Sequence, residues 1–278
     1  MVDDLIFDVG FHNGEDTEHY LSKGFRVVAV EANPVLVSQG RQRFAREIAD
    51  ERLIIEDAAV APENGSIELW VNESNDEWSS IDRSVGSRDG SGRGAVSVSA
   101  ATGRAHPVEV NAVRFDALLA RHGVPYYLKI DIERADFHCL RALDPDHLPR
   151  YLSIEAHALE YFCALHELGY REFKCVDQER HNLRPMPLTN ETVAGRAART
   201  VAHYTTAAQR ELRRRMRLSE GRFPMGGSGP FGEDTPGPWL PLEDAVYDWL
   251  HWHRRAKNRG SLNMYSWYDI HVRRADSP

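Results

Sequence analysis

The sequence predicts an α/β fold built on a doubly wound, mostly parallel sheet. Short, strongly apolar runs alternate with polar, helix-like stretches, the pattern of strands buried on both faces and covered by crossover helices. Several of those runs end in an acidic residue. The first run leads through two glycines into a polar helix, as at the carboxyl edge where such sheets bind ligands.

LIFDV is the first strand, followed by the turn Gly10–Gly14 and a helix over Glu15–Ser22. RVVAVEA is the second strand, and Pro34 suits the first turn of a helix running to Ala49. RLIIEDAAV is a third strand, and GSIELWV an extra or edge strand. Arg83–His106, rich in Gly, Ser and Arg, reads as a long mobile loop. VEVNAVRFDALLARHG gives a strand and a short helix. YYLKIDIE and YLSIEAH are the fourth and fifth parallel strands, each followed by a helix, Asp136–Ala142 and Leu159–Leu168. REFKCVDQE and SWYDIHVRR are two later strands that would pair antiparallel.

This divides the chain into a core, residues 1–180 and 265–278, and an insertion, 181–264, expected to form a lid or substrate wall. The insertion holds a basic helix-like stretch (Thr192–Leu218), a turn-rich stretch GGSGPFGEDTPGPW and an amphipathic helix from Leu242 to His253. Its arginines read as a solvated face or as a grip on an anionic or carrier-bound group. Trp239, Trp249, Trp252 and Trp267 read as packing residues, with one free to stack on a sugar ring.

Bulk properties narrow the function. With 278 residues, 42% hydrophobic and 27% charged, the composition is that of a soluble globular protein. A net charge of −8 disfavours nucleic acid as partner. The sequence has no apolar run of membrane-spanning length and no signal-like start, and its three cysteines lack metal spacing. A cytoplasmic protein with reduced thiols is expected, with no membrane partner; apolar residues of the late helices offer a homodimer face.

The opening turn bears on the cofactor. A dinucleotide fingerprint needs glycine where His12 stands, and Asp8, Glu15 and Asp16 would repel a pyrophosphate. The same acids suit S-adenosylmethionine, which has no phosphate and carries a sulfonium and an ammonium. Glycines at 10 and 14 let the backbone approach it. Glu31, ending the second strand, is placed to accept from both ribose hydroxyls, with Ala32 beside it. Asp57 and Ala58 suit the adenine edge, or a plain loop.

These pieces together resemble the FkbM family of S-adenosylmethionine-dependent methyltransferases: FDVGFHNG (7–14), VVAVEANP (27–34), WSSI (78–81), VRFDALL (113–119), LKIDIERAD (128–136) and YLSIEAH (151–157). The resemblance implies a class I, Rossmann-like, seven-stranded sheet with an antiparallel last strand. It implies that Asp8, Gly10, His12, Gly14, Glu31 and Asn33 lie at the cofactor, and it brings in Ser79 and Ser80, which could instead cap a helix. The family usually has glycine where this chain has Arg134. The acceptors it implies are hydroxyls of sugars, polyketides and other natural products.

Methyl transfer to a hydroxyl benefits from a base. Strand alternation puts Lys129, Asp131 and Glu133 on one face, and Glu155 and His157 on another strand's end. His157 is the candidate base, Asp131 an orienting group, and Glu133 a further catalytic candidate that could equally pair with Lys129 or Arg134. No resident metal is expected, although Asp131, Glu155 and His157 could hold a divalent ion. Two other readings remain open: an N-methyltransferase on an amino sugar or related amine, and a non-catalytic cofactor-binding module.

Overall fold

The computed structural model describes residues 1–73, 78–87, 105–177, 184–185, 228–235, 237–258 and 268–274. Its main sheet is built from β1 (Val2–Val9), β2 (Arg26–Glu31), β3 (Leu53–Asp57), β7 (Pro125–Ile130), β8 (Tyr151–Glu155), β9 (Glu172–Asp177), the two-residue β10 (Arg184–Pro185) and β11 (Tyr268–Arg273). Their order is β10-β9-β11-β8-β7-β1-β2-β3. β1, β2, β3, β7 and β8 pair in parallel, whereas β11 runs antiparallel to both β8 and β9. The expected seven-stranded sheet with its antiparallel last strand is therefore present, with β10 added at one edge.

The strands form where β-branched and aromatic residues run together, and their alternation loads both faces. On one face Phe7, Val9, Leu128, Ile130, Leu152 and Ile154 meet α5 (Phe115–His122), α6 (Phe137–Leu140), α7 (Leu159–Leu168) and α8 (Leu242–Asn258). On the other, Ile6, Val27, Ala29 and Tyr127 meet α1 (Glu15–Ser22) and Phe44. Phe231 also covers this second face, its ring stacked on Tyr127 with centroids 4.1 Å apart and planes 8° from parallel. Ala245 and Trp249 of α8 join the first cluster.

Local boundaries differ from the sequence reading in three places. The stretch from Pro34 to Ala49 is two helices, α2 (Pro34–Arg43) and α3 (Ala45–Ala49). Phe44 leaves helical geometry between them (φ −106°, ψ 27°), its ring buried edge-on to Phe11. RLIIEDAAV bends after Asp57, so that β4 (Ala59–Val60) joins a second sheet of order β4-β6-β5. There β5 (Gly65–Asn72), the expected extra strand, pairs antiparallel with β6 (Ala105–Val113). The expected loop 83–106 begins with a one-turn helix, α4 (Arg83–Gly86), and ends inside β6, while 88–104 lie outside the described residues. Also outside them are residues 186–227, with the basic stretch Thr192–Leu218, and 259–267, with Trp267; the side chain of Trp252 is likewise not described. Among the described residues no helix is long and apolar enough to cross a membrane.

Candidate functional site

A cavity of about 260 Å³ opens at the carboxyl ends of the parallel strands. Its floor is the turn after β1. Gly10 (φ +93°) is packed so closely on the next strand end that a Cβ there would sit 1.8 Å from the Asp131 carbonyl oxygen. His12 follows in a left-handed conformation (φ 51°), which side chains other than glycine seldom adopt. Its N–H donates to Glu31 Oε2 at 2.8 Å, and the Asn33 N–H donates to Oε1 at 2.8 Å. The Glu31 carboxylate is thus fixed by two backbone donors, and each oxygen keeps a lone pair for a ligand. Ala58, Ala59, Val60 and Leu69 add an apolar wall, and Trp78, Ser79, Ser80 and Ile81 close another side. The opposite end is lined by Asp131, Glu133, Glu155 and His157.

The structure places the expected cofactor residues in two groups. Gly10, His12, Glu31, Ala32, Ala58, Ser79 and Ser80 line the cavity. Asp8, Gly14, Asn33 and Asp57 do not line it. Asp8 is fully buried beneath the turn, accepting from Thr17 Oγ1 (2.7 Å) and Lys129 Nζ (3.0 Å). Gly14 caps α1 with φ 82°, and Asn33 caps α2 by accepting from the Val35 N–H. Asp57 is ion-paired with Arg41 at 3.3 Å. Ser79 and Ser80 serve structure as well: Ser80 pairs with Trp70 across a bridge, and its hydroxyl donates to the Glu133 carbonyl at 2.9 Å.

Among the three catalytic candidates, alternation holds for Asp131 but not for Glu133. β7 ends at Ile130, and Glu133 and Arg134 both take left-handed geometry (φ 48° and 73°). Arg134 thus takes a backbone conformation that favours glycine. Asp136, which the sequence reading passed over, secures this turn by accepting from the Ile132 N–H (3.1 Å) and the Tyr161 hydroxyl (3.2 Å). Lys129 pairs with neither Glu133 nor Glu155. Its ammonium is taken by Asp8, the Gly10 carbonyl (2.8 Å) and Asp16 (3.4 Å). Asp16 itself accepts from the backbone N–H groups of Ser228 (2.9 Å) and Gly229 (3.1 Å). No sequence spacing could have signalled that contact, more than two hundred residues away along the chain.

A family profile described as the methyltransferase FkbM domain matches residues 8–182. The chain belongs to the FkbM methyltransferase family. Among solved structures, it is similar to the methyltransferase FkbM from Methylobacillus flagellatus KT, with 15% identity, a TM-score of 0.35, and coverage of 55% of this chain and 33% of that one. It is also similar to the precorrin-6y C5,15-methyltransferase from Geobacter metallireducens GS-15, with 14% identity, a TM-score of 0.34, and coverage of 63% and 68%. The chain thus spans about a third of the length of the first of these. A comparison with curated proteins finds no match.

The electrostatics of the site differ between the two ends of its cavity. Burial raises the pKa of Glu31, and the backbone donors at Asn33 and His12 oppose that shift. At the other end burial, reinforced by Glu155, Glu133 and Asp269, raises the pKa of Asp131 well above the usual carboxylate range against the pull of Lys129. Burial alone would lower the pKa of His157. The Glu155 carboxylate, 3.0 Å from its Nε2, outweighs it together with Asp136 and Glu133, so that the imidazolium is favoured. Among the described residues no group of three His, Cys, Asp or Glu side chains has the arrangement of a metal site.

Proposed function

We propose that this methyltransferase takes its methyl group from S-adenosylmethionine and delivers it to a hydroxyl of a small molecule, a sugar, polyketide or similar natural product. The observation that carries this reading is the fixed Glu31 carboxylate at the end of β2, facing the close-packed turn at Gly10. A diol such as a ribose would meet its two oxygens. The absence of a Cβ at Gly10 lets the turn beside it pack against the Asp131 carbonyl, with His12 in a left-handed conformation, and the apolar wall at Ala58–Val60 and Leu69 suits a flat ring. The residues present therefore fit this cofactor.

When bound, the cofactor supplies a methyl group on a cationic sulfur, which keeps the bonding electron pair as the acceptor oxygen takes the methyl. The chain's own residues supply position and proton removal. Asp131 and Glu133 orient the acceptor. His157 takes the hydroxyl proton at Nδ1, the ring nitrogen turned from Glu155, once its own proton has left, while the Nε2–H faces the Glu155 carboxylate, which stabilises the imidazolium that results. The Ser228–Gly229 segment, latched to Asp16 in the cavity wall, supports a role for residues 181–264 as a wall of the substrate site.

The test is calorimetric titration with S-adenosylhomocysteine, followed by transfer of labelled methyl to a panel of hydroxylated acceptors. Tight binding to the wild type is expected, weakened about tenfold or more in Glu31→Gln, which loses one charge-assisted hydrogen bond. Absence of binding to the wild type would sink the proposal.

A further inference from the structure

We propose that residues 228–235 splint α1, and that docking of this segment and binding of the methyl donor strengthen each other. Asp16 is the positioning residue that links the two. This rests on the S-adenosylmethionine reading above and adds to that site a working part from beyond the family match at residues 8–182.

The segment follows one stripe of α1. Asp16, in the first turn, accepts from the Ser228 and Gly229 N–H groups at 2.9 and 3.1 Å. Tyr20 meets the Phe231 ring edge-on, with centroids 5.8 Å apart. Lys23, the C-cap, is ion-paired with Asp234. Positions 16, 20 and 23 have the helical spacing that puts side chains on one face, so the segment runs the length of the helix. Its other side is anchored to the sheet. Phe231 stacks on Tyr127 of β7. Thr235 accepts from Lys174 of β9 through its carbonyl (3.1 Å) and its hydroxyl (3.2 Å). The Ser228 side chain hydrogen-bonds Asp269 of β11. The segment therefore clamps to the sheet the helix that leaves the Gly10–Gly14 turn.

Asp16 carries this contact into the cavity. It lines the cavity wall, yet only 5% of its side chain is exposed, and a buried carboxylate is stable only when its lone pairs are met. Two backbone donors of the segment meet them, and Lys129 Nζ lies 3.4 Å away. The same ammonium donates to the Gly10 carbonyl at 2.8 Å, in the turn on the cavity floor. With the segment undocked, Asp16 would lose both N–H donors and draw the ammonium from Gly10 towards itself. Turn and segment thus share one network. A ligand that fits the turn best in its docked form favours docking, and by linkage a loosened segment weakens the ligand.

The experiment uses the full chain with S-adenosylhomocysteine as probe. Calorimetry gives its affinity, and thermal unfolding checks that each variant is folded. Phe231→Ala, at a residue that does not line the cavity, should weaken binding about tenfold or more. Phe162→Leu, a core change on the opposite face of the sheet, controls for general loss of stability and should bind within about threefold of wild type. In a double-mutant cycle, Phe231→Ala should cost less than about threefold once Asp16→Asn has cut the link. Two merely structural sites would add instead. Hydrogen exchange on the wild type reads the reverse direction: S-adenosylhomocysteine should slow exchange of the Ser228 and Gly229 amides about tenfold or more. The inference is overturned by any of four results: Phe231→Ala binding as tightly as wild type, equal weakening in Phe162→Leu, additivity in the cycle, or exchange at Ser228 and Gly229 unchanged by saturating ligand. If Phe231→Ala does not fold, the exchange measurement on the wild type decides. Failure of S-adenosylhomocysteine to bind the wild type is separate and refutes the underlying methyl-transfer reading.

Discussion

Replacing Arg134 with glycine should stabilise the protein. Arg134 sits at φ 73°, in the turn that carries Asp131 and Glu133. A residue with a Cβ costs about 1–2 kcal/mol in that region. Glycine removes this strain but gives back about 0.5–1 kcal/mol through the greater freedom of the unfolded chain. The Arg134 side chain is exposed, and its attraction to Asp82 is a surface interaction of about 0–0.5 kcal/mol. The net expectation is a gain of about 0.5 kcal/mol, a shift in Tm of about 1–2 °C. The more discriminating comparison is with Arg134→Ala, which loses the charge but keeps the strain and should be less stable than Arg134→Gly by about 0.5–1 kcal/mol. Urea unfolding of the three proteins, read from shifts in midpoint at constant slope, measures both differences. An alanine variant as stable as the glycine variant would show that the turn is not strained at this residue, and the reasoning would fail.

Two further outcomes follow from the same site. Gly10→Ala should abolish binding of S-adenosylhomocysteine in calorimetry, because its methyl would sit 1.8 Å from the Asp131 carbonyl oxygen and force the two strand ends apart; retained binding would contradict the close packing of the turn. The pH profile of kcat/KM should have a rising limb above the ordinary imidazole value of 6.5, because the basic form of His157 appears only above its raised pKa. Glu155→Gln removes the main attraction holding that proton and should move the limb to lower pH, whereas His157→Ala should remove the limb and slow turnover about 100-fold or more. A limb unmoved by Glu155→Gln would argue against His157 as the base.

What could be read from the sequence was what local sequence determines. LIFDV, Glu15–Ser22 and Leu159–Leu168 carry their own periodicity, with Gly14 before the first helix and Gly169 after the second, and they form where that pattern puts them. Glu31 was legible as a cavity residue because the end of a strand in an open α/β sheet is a defined place. Asp57 ends the neighbouring strand in the same way, yet Arg41 on α2 pairs with it at the surface, a contact between elements that strand periodicity does not encode. Asp8 looked like a cofactor acid from its place before the turn, but Lys129, which holds it, lies 121 residues along the chain. Glu133 departs from the alternation of β7 because the backbone turns over at φ 48°, and nothing in its own side chain announces a left-handed residue. The family match covers residues 8–182, so the Ser228–Gly229 contact to Asp16 falls beyond its reach.

The central place of β11 in the sheet has a bearing on how the molecule comes into being. β11 separates β8 from β9, and residues 178–267 precede it in the chain after β9. During synthesis β1, β2, β3, β7 and β8 can pair as they emerge, so the end of the cavity that carries Glu31 can take shape early. β9 must wait for a strand nearly a hundred residues later, at the loop-closure cost of a long-range pairing, while β8 shows an open edge. Only when β11 docks does Glu155, at the second end of the cavity, gain Asp269 as its neighbour across the strand pair. The half that carries Glu31 is thus assembled before the half that carries Glu155, and β11 is the keystone that joins them.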